Sequence, residues 1–151
     1  MHSRQDLAVL AVDLIAAGSH FTRAAYQASG MELSNVSMRA LAALERDPGL
    51  RIGELAAREG IRQPSMSQAM KRLVDDGYVS RQPADDDARA TALHITGAGR
   101  EVLRNYRAAA AEAVAPVFEA LEPEDVATLE RAAELLPELT TELKQRTGGR
   151  A

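Results

Sequence analysis

Residues 52–77 read IGELAAREGIRQPSMSQAMKRLVDDG, and their pattern decides the fold. A short helix fits about Ile52 to Glu59, with Leu55 and Ala56 turned inward and Gly60 closing it. A second helix begins near Pro64, a residue suited to a first helical turn, and runs to Asp76. Gly77 caps its end. Between the two, Ala56 allows close crossing, Gly60 permits a tight turn and Ile61 plugs it, which together predict a helix-turn-helix. In the second helix Met66, Ala69, Met70 and Leu73 make one apolar stripe. Gln63 opens the opposite face, and Pro64, Ser65, Ser67, Gln68, Lys71 and Arg72 continue it. Hydroxyls and amides pair with base edges in a major groove, and Lys or Arg pairs with phosphate or guanine. The first turn carries no acid, so its free N–H groups can also approach a phosphate. A solvated amphipathic helix would show the same face, but it would leave the short helix before it and the hairpin after it unexplained.

Downstream the period changes to two. Tyr78 to Gln82 and Ala90 to Ile95 read as strands, with Thr91, Leu93 and Ile95 on one face. The Asp-rich segment from Pro83 to Ala88 reads as the hairpin loop between them. Arg89, at the start of the returning strand, is placed to enter a minor groove, where negative potential is strong. Asp87, two residues earlier, can pair with it and orient the guanidinium; as an ordinary surface ion pair it would contribute only about 0–1 kcal/mol. Asp85-Asp86-Asp87 has no ligand-rich partner segment, so neither a metal nor another cofactor is expected.

Upstream, Gln5 to about Ser29 forms a helix whose Leu7, Leu10, Leu14, Ala17 and Phe21 make a heptad-like seam, ended by Gly30. Ser34 caps a second helix with Met38, Leu41, Ala42 and Glu45 along its face, and Asp47-Pro48-Gly49 stops it. At the other end Thr96 caps a long Ala-rich helix to about Leu121, which Pro116 should kink or split. A last helix starts near Pro123, carries Leu129, Ala133, Leu136 and Leu143 at heptad-like spacing, and must bend at Pro137. The fold class is therefore mostly α (α+β): a winged helix-turn-helix with a two-stranded wing, flanked by N- and C-terminal dimerisation helices. Its expected divisions are residues 1–30 for the first dimerisation helix, 31–99 for the DNA-binding lobe and 100–146 for the C-terminal helices. A disordered tail is expected over 147–151.

The length, 151 residues, suits one ordinary domain. With no Cys, disulfides, thiolate metal sites and cysteine redox sensing are excluded. Nothing near the N-terminus resembles a signal peptide, and no stretch reads as the roughly 20 apolar residues of a membrane span. A soluble cytoplasmic protein without a membrane partner is expected. The net charge of −4 is unlike that of a nucleic-acid binder, and Arg51 to Arg100 has only eight basic residues against seven acidic ones. Placement of charge, rather than its total, must carry a DNA-binding reading.

These residues resemble the MarR family of bacterial regulators over nearly the whole chain. Leu33-Ser34 and the run Ser37 to Leu44 look like its second helix, with Asp47-Pro48-Gly49-Leu50 as the turn after it. Gly53-Glu54-Leu55-Ala56 resembles its Glu-Leu-Ala helix. Gln63 to Ser67 and Leu73 to Arg81 resemble its recognition helix and first wing strand. Asp87-Ala88-Arg89 and His94-Ile95-Thr96-Gly97-Ala98-Gly99 are similar to its Asp-x-Arg wing and the Leu-Thr-x-x-Gly opening of the next helix. Arg51 stands where the family often has a capping Thr, Ile95 replaces Leu, and Pro116 and Pro137 lie outside the shared pattern. The resemblance implies an obligate homodimer with interleaved terminal helices, bound to a double-stranded operator. It further implies a repressor released by a small aromatic or phenolic effector seated between the dimer helices and the DNA-binding lobe. Phe21, Met38, Arg39 and Tyr106 are the expected lining, with core packing the competing reading for Phe21 and Met38.

Two other classes remain to be weighed. An enzyme is disfavoured, because His2, His20 and His94 stand in no metal or triad spacing and no phosphate loop or nucleophile elbow occurs, so no catalytic residue is assigned. A winged helix used only for protein contacts would need an apolar, cation-poor recognition face, unlike the Ser-Gln-Lys-Arg face here.

Overall fold

The computed structural model describes residues 3–84 and 89–148, without the side chains of 147 and 148. Its elements are α1 (Arg4–Ala28), α2 (Asn35–Arg46), α3 (Ile52–Glu59), α4 (Gln63–Asp75), β1 (Val79–Pro83), β2 (Thr91–Ile95), α5 (Gly97–Glu119) and α6 (Pro123–Gly148). The mostly α fold with a two-stranded wing matches the expectation, with strand boundaries shifted by a residue. The chain divides into two compact units, Met1–Ala113 and Val114–Ala151.

Local chemistry sets the helix ends. Ser34 accepts the Ser37 backbone N–H at 3.1 Å and so caps α2. Arg51 has no side-chain oxygen to offer α3, yet Glu54 compensates by accepting the Arg51 backbone N–H at 2.8 Å. Gly60 ends α3 at φ 62°, a left-handed conformation that a Cβ would disfavour. The chain then doubles back, with Ile61 donating its N–H to the Ala56 carbonyl at 2.9 Å.

The core of the first unit lies under the helix-turn-helix. Leu41 and Leu44 of α2, Leu55 of α3, Met66, Met70 and Leu73 of α4, Leu93 of β2 and Leu103 of α5 are all but fully buried together. β1 and β2 pair antiparallel, Val79 opposite Ile95 and Pro83 opposite Thr91. A third segment, unforeseen in the sequence, joins this sheet: Leu50 bridges to Leu93, with the Leu93 N–H donating to the Leu50 carbonyl at 3.0 Å. The wing is thereby anchored to the loop that follows α2.

Thr96 and Gly99 join wing, recognition helix and α5. The Thr96 hydroxyl donates to the Gly77 carbonyl at 2.7 Å and accepts the Gly99 N–H at 3.1 Å. A Cβ on Gly99 would lie 2.2 Å from the Tyr78 carbonyl oxygen, so only glycine allows this approach.

The terminal helices behave differently. α1 has no buried residue, and Leu7, Leu10, Leu14 and Phe21 stand exposed on it. Val9, Val12 and Ile15 on its other side are exposed as well, so the helix is apolar nearly all round. By length and composition α1 could cross a membrane, at mean hydropathy 1.3, which corrects the expectation that no stretch could. Asp13 interrupts the apolar run without lowering its average enough. In the second unit, α6 leaves Leu129, Leu135, Leu136, Leu139 and Leu143 exposed. Both α5 and α6 run unbroken through Pro116 and Pro137, so neither proline splits its helix. Both prolines are exposed, which leaves water able to reach the carbonyls that lack an N–H partner. α6 reaches Gly148, two residues into the segment expected as tail; residues 149–151 lie outside the described residues.

Candidate nucleic-acid interface

α4 is held by its apolar stripe. Met66, Met70 and Leu73 are fully buried and Ala69 nearly so, against α2 and α3. That fixes the roll of the helix and turns Gln63, Pro64, Ser65, Gln68, Lys71 and Arg72 to solvent. Ser67 lies at the margin of this face and is only half exposed. The first turn holds no acid, and no side chain caps it at Arg62. Its backbone N–H groups therefore remain open to an anion.

The outward face does not stand alone. The N-terminus of α2 runs beside it, and a groove of about 550 Å³ is lined by Ser34 and Ser37 on one side and Ser65, Gln68, Lys71 and Arg72 on the other. Arg62, just before the helix, is exposed and makes no ion pair with a described residue; a cation immediately preceding Gln63-Pro64 was its signal in the sequence. The cations farther along are engaged. Lys71 Nζ lies 2.8 Å from Asp75 Oδ2, and Arg72 Nε lies 3.8 Å from Asp76 Oδ2. The hydrogen bond to Asp75, helped by its charge, pushes the Lys71 ammonium above its usual range. The spacing of four residues makes both pairs legible in the sequence.

In the wing, Arg89 is exposed and precedes β2 by two residues rather than opening the strand. The Ala84 N–H donates to the Ala90 carbonyl at 2.9 Å and brings the two strands together beneath the tip. Asp87, with Asp85 and Asp86, lies outside the described residues, and so does its expected pairing with Arg89.

Of the four residues expected to line an effector pocket, Tyr106 packs against the same core cluster that holds Met38. Met38 is 2 % exposed and belongs to the core, because its face of α2 packs under the helix-turn-helix. Phe21 is 49 % exposed on α1 and is not core in this chain. Arg39 bonds the Glu59 carboxylate and also the Glu59 backbone carbonyl, which ties α2 to the end of α3. Tyr106 packs against Tyr26, ring centroids 5.9 Å apart. A second groove, about 520 Å³, is lined instead by Met31, Leu33, Arg72, Tyr78 and Val102 among others, and by none of those four. The loop between α1 and α2 lines it, and that loop carried no motif to draw notice.

The lobe that builds this face is the part that matches a family model, that of the MarR family, over residues 29–90. The match extends well beyond the lobe in a relative from Mycobacterium leprae, an uncharacterised HTH-type transcriptional regulator. It is 32% identical over 114 residues, which cover 76% of this chain and 78% of the relative. The chain belongs to the MarR family. Members of that family are DNA-binding transcriptional regulators and not enzymes. The fold agrees. A MarR-family regulator from Silicibacter pomeroyi superposes with a TM-score of 0.62 at 29% identity, covering 93% of this chain and 90% of that one. RV1404 from Mycobacterium tuberculosis is similar in fold, with a TM-score of 0.76 at 19% identity, covering 91% and 95%.

Proposed function

We propose that this MarR-family protein is a cytoplasmic repressor that binds a pseudo-palindromic operator as a homodimer and is released by a small effector. The observation that carries the reading is the outward face of α4: an acid-free first turn followed by Ser65, Gln68, Lys71 and Arg72, standing clear of the core. Gln63, Pro64, Ser65, Ser67 and Gln68 face base edges in the major groove. Lys71 and Arg72 reach phosphate, and Arg89 from the wing enters the minor groove.

The terminal helices support the dimer. An α-helix apolar nearly all round needs cover on more than one side, and burying each Leu, Val or Ile contributes about 1.5–3 kcal/mol. A second copy of the chain supplies that cover for α1 and α6 without a membrane. The groove beside Arg72 and Tyr78 suits a small neutral phenol: apolar walls from Met31, Leu33 and Val102, polar groups from Glu32, Arg72 and Asp76, and a volume in the range of ligand sites. An effector there would hold Arg72 away from DNA.

The test is selection of duplexes from a random pool, followed by sedimentation of the complex. A recovered consensus with half-sites about 10 bp apart, bound by two chains, is the expected result. No enrichment over the starting pool would sink the reading.

A further inference from the structure

We propose that Asp75 and Asp76 attenuate the protein's grip on the DNA backbone by acting as resident competitors for the cations of the recognition helix. The inference rests on the DNA-binding reading above and adds two residues to it. Lys71 and Arg72 are the two cations on the outward face of α4, and each is engaged by a carboxylate one turn farther along.

Helix stability does not account for these carboxylates. Asp75 is the last residue of α4 and Asp76 its C-cap, both at the negative end of the helix dipole, where acids are unfavourable. The pairs also run the less favourable way, with the cation N-terminal to the acid. All four side chains are well exposed, from 42% for Asp76 to 76% for Lys71, so neither pair is a buried structural link. What the carboxylates do change is the field in front of the helix. A cation 2.8 Å from a carboxylate presents a dipole to a distant phosphate, and a dipole's attraction fades faster than a charge's.

Position confines the effect to one end. At 1.5 Å per residue Asp75 lies about 18 Å along the axis from Gln63, more than two Debye lengths at physiological salt. The first turn, Gln63 to Met66, is therefore out of their reach, whereas the phosphate-binding cations are within it. Both pairs open onto the groove between α2 and α4, whose lining includes all four side chains. Phosphate contact there must displace a carboxylate, which the long Lys71 and Arg72 stems allow by extending past the short Asp side chains. Unopposed, these cations would raise affinity for every duplex and slow the search for an operator.

The experiment uses Asp75→Asn and, separately, Asp76→Asn in the full chain, titrated at several salt concentrations against a scrambled 30-mer duplex. Each variant is expected to bind about fivefold tighter per subunit at low salt, the weight of one unit charge at contact distance in water, and so about 25-fold tighter as a dimer. The slope of log K against log salt should steepen by up to about one unit per cation released. Asp75→Glu, which restores the charge, should return both quantities towards wild type, and melting of Asp75→Asn should be unchanged or raised. Affinity and slope that stay at wild-type values, or fall, in both folded Asn variants would overturn the proposal while leaving DNA binding intact. Wild-type protein that binds neither scrambled nor selected duplex would overturn the DNA-binding reading, and this proposal with it.

Discussion

Leu73 and Leu14 are the same side chain on apolar stripes of two helices, yet Leu73 is completely buried and Leu14 is 43% exposed. The contrast holds for the regions around them. Between Leu33 and Leu103 lies the whole apolar core, closed over by α2, α3, α4, β2 and the start of α5. α1 has no fully buried residue and only Tyr26, near its end, packs against that core. The lobe is a finished piece of structure within one chain, whereas the terminal helices carry apolar surface that a single chain leaves in water. An amphipathic stripe announces that a helix will be covered, without saying whether its cover comes from the same chain.

Truncating each leucine should separate the two regions. Leu73→Ala should lower unfolding stability by about 2–5 kcal/mol, independently of protein concentration. Leu14→Ala should act through association, so its loss of melting temperature should shrink as concentration rises. Chemical denaturation at two concentrations a hundredfold apart reads both. Equal concentration dependence for the two variants would erase the distinction.

A smaller effect is expected where the lobe hands over to α5. Gly99→Ala places a methyl against the Tyr78 carbonyl and should cost about 1–3 kcal/mol, read by the same denaturation curves. A variant as stable as wild type would mean that the wing and α5 are joined less rigidly than the Thr96 hydrogen bonds indicate.

Within the finished lobe, the two proposed DNA contacts should differ in kind. Gln68→Ala is expected to lower affinity for the selected operator by about 1–3 kcal/mol and to relax preference at one position per half-site. Scrambled duplexes should bind as before. Arg89→Ala should weaken binding to both duplexes and make the salt dependence shallower by about one phosphate-equivalent per wing. Fluorescence titrations across salt measure both, and wild-type behaviour of Arg89→Ala would remove the wing from the interface.

The smallest effect concerns Tyr26, which packs on Tyr106 at the end of α1. Burial, reinforced by the nearby Tyr106, pushes its phenol above the usual value of 10.0. The folded state therefore holds this proton more firmly than the unfolded chain does. Its contribution to stability is complete below pH 10 and declines as pH rises through the folded value. Ultraviolet titration should show one late-ionising tyrosine that Tyr26→Phe removes.

Much of this was legible in the order of residues, for a physical reason. Helix ends depend on a few neighbouring atoms, so Ser34, Gly60, Gly77 and Thr96 declared their roles directly. The roll of α4 followed from Met66, Ala69, Met70 and Leu73, because a period of 3.6 places them on one side whatever they pack against. The change to a period of two at Tyr78 announced the wing. Tertiary structure alone decided the rest. Leu50 joins the sheet through a single bridge to Leu93, forty-three positions away, and no local pattern encodes that pairing. The neighbours of Met38, Arg39 and Tyr106, namely the core, Glu59 and Tyr26, depend on which helix lies opposite each. The continuity of α5 and α6 through Pro116 and Pro137 also depends on exposure, because water can reach the carbonyls those prolines leave without an N–H. Sequence determines what each helix face must bury or present; only the packed chain decides against which neighbour.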